Sequence, residues 1–386
     1  MRSRFISAAL VATVVVASCS SDDDTSAEST STAATADGST TVSTDASLAV
    51  VAGETFPAER CAANEEAGPI TFLTGFDFAA ASSIVDVIAA DDAGYYEELC
   101  LDVEIRPGFS AENYPLVASG TAQFASGGSF SEVVAFSAAN DARFVATTVE
   151  GRSAIDTLIV KSGEAAALED LAGSSIGIKG KLPPSIDVML RGAGLVEGDD
   201  FDTILLDGFD PLAHIEIEEI VGLPGWKSNE VGALERAGVG IQLFDPLDFG
   251  VPGSFGVIFT SAEFAEEHPT AAADFVRATL RGLADAVNDP AAAANTAVAL
   301  IEANGNPSFL SPEGEVFRWE TEAGLIMAGT PEGVGLGVPD VTALQAEVDA
   351  YSEVGLFGDD SPEASDYVID LAAGLYDEAE GVIWPG

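Results

Sequence analysis

Basic side chains are scarce: 15 lysines and arginines stand against 64 aspartates and glutamates in 386 residues, a formal net charge of −49. Such a surface repels phosphate backbones and anionic lipid, which argues against nucleic acid as a partner and fits a saline or extracellular setting. Histidine is scarcer, with His214 and His268 alone and no His-Glu-x-x-His. His268 precedes Pro269 at a helix start, a surface position. Three cysteines, at 19, 61 and 100, make no zinc-binding spacing. Acidic pairs arise by chance among so many carboxylates and carry no catalytic information. No catalytic constellation, metal site or cofactor motif is therefore expected. Long apolar runs are missing too: the thirteen residues from Phe5 to Ala17 fall short of the roughly 20 that span a bilayer.

What is present at the amino terminus is a basic head (Arg2, Arg4), that short apolar run, and a small-residue end. These are the parts of an export signal. Val16-Ala17-Ser18-Cys19 matches the bacterial lipoprotein cleavage box, in which Cys19 becomes the lipidated first residue. Attached acyl chains would hold the protein on the outer face of the cell membrane; an ordinary secreted protein with an incidental cysteine is the alternative. From Ser20 the chain runs through Ser, Thr, Ala, Asp and Gly and cannot bury enough surface to offset its ordering entropy. The sequence divides into a signal (1–19), a tether (20–60), a first lobe (61–160 with 257–386) and a second lobe (161–256). Its apolar content of 47% supports lobes of ordinary domain size.

The stretch from Ile70 to Ile105 organises the rest. Ile70, Phe72 and Leu73 form one strand, and Leu101, Val103 and Ile105 alternate with Asp102 and Glu104 in a second. Between them Ile84, Ile88, Tyr95 and Leu99 share a helical face. Such a unit closes as a right-handed parallel crossover. It leaves Phe76, Asp77, Phe78 and Ser82 at the carboxyl end of the first strand, where open α/β sheets bind ligands.

The segments GYYEELCLDVEI, PLVASGTAQFASG, LEDLAGSSIGIKG, GWKSNE and PLDFGVPGSFGVIF make the chain resemble, over roughly residues 70–303, the substrate-binding proteins of ABC importers in the group of the thiamine-pyrimidine and sulfonate receptors. That group is related to the yeast pyrimidine synthase, whose cysteine-rich iron-binding motif is absent here. The resemblance implies an α/β fold of periplasmic-binding-protein type II, two lobes joined by two hinge crossings with a ligand cleft between. It implies a monomer that delivers a small molecule to a permease powered by a separate ATPase. Of the three cysteines, one is assigned to lipid. Cys61 before the first strand and Cys100 before the second are expected to form a disulfide, two free buried thiols being the alternative.

Further candidates follow the strands. Ser129 and Phe130 lie in the turn SGGSFS after a strand, where glycines admit a ligand and hydroxyls bond it; a capped turn is the alternative. Lys179 borders a glycine-lysine loop that lacks phosphate-loop spacing, so it offers a polar contact or is a solvated lysine. Phe209 follows a further strand. Trp226, Asn229 and Glu230 lie within five residues and can stack on a flat ring and bond its edge; Asn229 as a helix cap and Trp226 as packing is the competing reading. The ligand expected is a thiamine pyrimidine precursor or similar flat nitrogen heterocycle. Riboflavin or a sulfonate- or nitrate-type anion is the alternative, the anion disfavoured because these candidates include few arginines. A pyrimidine synthase-like enzyme is the competing class. The tail beyond Gly314 is left undetermined.

Overall fold

The computed structural model describes residues 46–208, 210–305, 311–359 and 361–386. The export signal, Cys19, most of the tether and Phe209 lie outside them.

Two five-stranded mixed sheets organise the chain. In the first, β1 (Ile70–Leu73) lies between the parallel β2 (Val103–Arg106) and β3 (Phe124–Gly127), and the order is β2-β1-β3-β10-β4. Here β4 spans Phe144–Gly151, and β10 (Phe255–Ser261) runs antiparallel to both its neighbours. The apolar β1 is buried throughout, while edge strand β2 half-buries Val103 and Ile105 and exposes Glu104 and Arg106, as its alternation requires. The crossover helix departs from the expected single face. Gly94, at φ 76°, divides it into α2 (Val85–Asp92) and α3 (Tyr95–Glu98). The break turns Tyr96 inward, where its hydroxyl bonds Thr279 at 2.7 Å, and leaves Tyr95 half-exposed. Cys61, in α1 (Ala58–Glu66), and Cys100 are joined in a disulfide.

The second sheet has the order β7-β6-β8-β5-β9. Its strands are β5 (Asp156–Lys161), β6 (Ser175–Ile178), β7 (Asp202–Leu205), β8 (Gly222–Trp226) and β9 (Ile241–Phe244). β5 is antiparallel to β8 and β9, and the chain passes between the sheets at 152–155 and again at 245–254. Strand β8 is not legible in GLPGW. Its glycines serve close approach: a Cβ on Gly222 would lie 2.2 Å from the Ile159 carbonyl. Pro224 lies beyond the single residue at which β8 meets β6, so its missing amide removes no bond to that strand. The sequence Gly173-Ser-Ser-Ile-Gly177 opens β6 rather than turning from a strand into a helix, so Ser175 is no nucleophile elbow.

The helices that follow β10 cover the first sheet and reach beyond it. Pro269 and Pro290 start α10 (Pro269–Asn288) and α11 (Pro290–Asn304), with Asp289 accepting from the Ala292 amide to cap the latter. Phe275 of α10 stacks on Phe124 of β3 at 4.0 Å. The tail forms α12 (Pro312–Gly329) and α13 (Val341–Ser352). Helix α12 touches both halves: Glu322 accepts from the Ser82 amide after β1 and from the Ser228 hydroxyl after β8, both at 2.6 Å. No helix among the described residues is long and apolar enough to cross a membrane.

Candidate ligand-binding site

A cavity of about 340 Å³ opens between the loop after β1, the ends of β6 and β8, and the first turns of α12. A narrower space of about 40 Å³ adjoins it over the carboxyl ends of β1 and β3. Phe76 and Trp226 line both. Phe76 is steadied edge-on by Phe109, ring centres 5.5 Å apart, and Trp226 keeps 37% of its surface exposed. One aromatic thus comes from each sheet, with open space between them for a planar guest.

The predicted residues separate by burial. Lys179, Trp226, Asn229, Glu230 and Phe76 line the larger cavity, and Ser82 the smaller. Asp77 instead shapes the turn: at φ 48°, it accepts the Phe78 amide on its own side chain at 2.9 Å. Two assignments are corrected. Phe78 is 4% exposed and packs into the core against α10 and α11, and Phe130 is fully buried beneath the first sheet. Ser129 caps α5 (Phe130–Asn140), accepting from the Glu132 amide, which is the capped-turn alternative. Neither Phe130 nor Ser129 reaches the cavity. Asn229 does not cap a helix; it accepts from Arg318 Nη2 at 2.7 Å within a π-helical turn, 227–231.

The polar wall is built from ion pairs. Lys179 Nζ lies 2.9 Å from Glu230 Oε1, and Glu230 Oε2 accepts from the Trp226 amide. Burial alone would raise the Glu230 carboxyl, but the Lys179 ammonium and these donors outweigh it and hold the group below the usual carboxylate range. Arg318 Nη1 reaches both oxygens of Glu315 at 2.7 Å, and Glu315 accepts from the Ala80 amide. Asp156, paired in register with Trp226, is pushed up to about 7 by burial and by the charges of Glu132 and Glu230. Beneath the narrow space Glu150 accepts from the Ser83 amide, and Ser83 bonds Ser126. Burial lifts Asp86 to about 6, and burial plus the Asp86 charge lifts Glu150 well above its ordinary value.

Sequence reasoning missed Arg236, Glu315 and Arg318, all of which line the cavity. The last two belong to the undetermined tail, and no local motif marks them. Among the described residues, no group of three or more His, Cys, Asp or Glu side chains is placed to hold a metal ion. His214 is buried, its Nε2 against the Asp207 carbonyl. The arrangement can stack a ring and bond its polar edge.

Residues 81–293 match the family described as NMT1/THI5 like. The formylaminopyrimidine-binding protein of Halalkalibacterium halodurans is 30% identical over 216 residues, 53% of this chain and 63% of that protein. The riboflavin-binding protein RibY of Chloroflexus aurantiacus is 30% identical over 128 residues, 32% of this chain and 36% of that protein. The matches thus span less than two thirds of either relative. The alkanesulfonate-binding protein SsuA of Xanthomonas axonopodis pv. citri, solved with MOPS, superposes with a TM-score of 0.56 at 14% identity, covering 78% of this chain and 98% of its own. That likeness is one of fold, the periplasmic-binding-protein fold of two α/β lobes.

Proposed function

The chain belongs to the NMT1/THI5-like family, and from that premise we propose that it is the extracytoplasmic solute-binding component of an ABC importer. It captures a small planar, nitrogen-bearing ring of the pyrimidine-precursor or flavin kind and hands it to a permease and its ATPase. The observation that carries this reading is the cavity shared by Phe76 and Trp226, one from each sheet. A ligand that contacts both lobes binds the closed arrangement better than the open one and draws the lobes together about the two crossings. Stacking on Trp226 and hydrogen bonding to Glu230 and Asn229 need no nucleophile, so binding without turnover is the expected behaviour. Lipidation of Cys19 would keep this receptor beside its permease as a monomer.

A thermal-shift screen of pyrimidines and flavins tests the proposal. Ligand at a hundredfold its dissociation constant adds about 2.7 kcal/mol of stability. A hit whose shift disappears in Trp226→Ala, with the unliganded melting temperature unchanged, supports the receptor. A shift that survives Trp226→Ala removes Trp226 from the site, and chemical conversion of the hit on incubation favours the enzyme reading.

A further inference from the structure

The charges that line the larger cavity do not cancel. Of its three cations, Lys179 is held by Glu230 at 2.9 Å and Arg318 by Glu315 at 2.7 Å. Arg236, the last residue of α8 (Gly232–Arg236), has no carboxylate within 4.0 Å among the described residues. Its guanidinium lies 5.2 Å over the Phe317 ring of α12, which fixes the side chain along the cavity wall. Both lining carboxylates are engaged by cations, so the lining keeps one positive charge in a chain of formal charge −49. We propose, on the premise that this cavity is the receptor site, that the ligand's ring carries one anionic oxygen group, a carboxylate or a sulfonate, bound by Arg236.

The chemistry suits the position. A guanidinium offers a planar fork of N–H donors that matches two oxygens of such a group. With Phe317 beneath it, Arg236 is already oriented, so little freedom remains to be lost on binding. Trp226 and Phe76 take the ring, and Arg236 the anionic end. This reverses the expectation that the cleft offers few arginines: Arg236 and Arg318 line it from α8 and α12.

Calorimetric titration of the whole mature chain with matched pairs, orotate against uracil and benzenesulfonate against benzenesulfonamide, tests the assignment at constant ionic strength. The anionic member of at least one pair is expected to bind about tenfold to a hundredfold more tightly than its neutral partner. Which pair responds separates carboxylate from sulfonate. Arg236→Ala should erase that preference, and Arg236→Lys should keep part of it. Neutral rings binding as well as their anionic partners, or a preference unchanged in Arg236→Ala, overturns the proposal and leaves the receptor intact. If no member of either pair binds while the larger pyrimidine and flavin screen gives hits, the proposal fails alone; if that screen is also empty, both fail.

Discussion

Asp274 has no solvent exposure, and its carboxylate accepts from Arg60 at 2.6 and 3.0 Å, from Asn64 at 2.8 Å and from Arg277 at 3.1 Å. This single group ties α1 to α10. Removing it would leave two nearly buried guanidinium groups without their counter-charge, which typically costs about 3–5 kcal/mol. Asp274→Ala should lower the urea midpoint accordingly with an unchanged slope, and a loss under about 1 kcal/mol would show that water replaces the carboxylate. Residue-scale fates in the candidate site were only partly legible. Phe76 and Phe78 are two apart in the same turn, and hydrophobicity cannot tell them apart. The left-handed Asp77 between them sends one ring into the cavity and the other into the core. Phe130 misled for a similar reason: an aromatic just after a glycine turn looks available, but as the first residue of a capped helix it faces inward.

At the scale of elements, most strands and helices follow from patterns a few residues long, and β8 and α12 do not. GLPGW reads as a turn because its strand conformation comes from its neighbour β5 and not from its own propensity. Helix α12 lies in the tail that the sequence leaves undetermined, and its role as a clasp depends on Ser82 and Ser228, which lie far away in sequence on opposite halves. Glu322 has no solvent exposure and serves both donors, and burial raises its carboxyl above the ordinary range. Glu322→Ala would leave a half-buried amide and a buried hydroxyl without their acceptor, a loss of up to about 1–3 kcal/mol for each donor left unpaired. Hydrogen exchange should accelerate at Ser82–Val85 and along α12 while β1 and β3 stay protected. Glu322→Gln, which can still engage both partners, should lie close to the parent; acceleration equal to that in Glu322→Ala would mean that the charge, rather than the two bonds, holds the clasp.

For the whole molecule the excess of carboxylates sets the response to pH. Asp156 at about 7 and Asp86 at about 6 both lie above the unfolded value of 3.8, chiefly because burial disfavours their ionised forms. The native state therefore takes up these protons before the unfolded chain does, and stability rises as pH falls through 7 towards 5. Groups held low, such as Glu230, oppose this only at pH values below the ordinary carboxylate range. The melting temperature should accordingly climb from pH 8 to pH 5, and Asp156→Asn should flatten the upper part of that climb; a melting temperature that falls over this interval would contradict the assignment. The sequence by itself determined the acidic character, the order of most strands and helices, the family likeness and the aromatic residues at strand ends. Each of these is written in composition or in spacings of a few residues, which local sterics and burial enforce. Only the tertiary structure decided that GLPGW is a strand, that α12 fastens the two halves, and that Arg318 lines the same cavity as Trp226. Those outcomes depend on groups brought together from distant parts of the chain by the packing of two sheets, and no local periodicity encodes such a meeting.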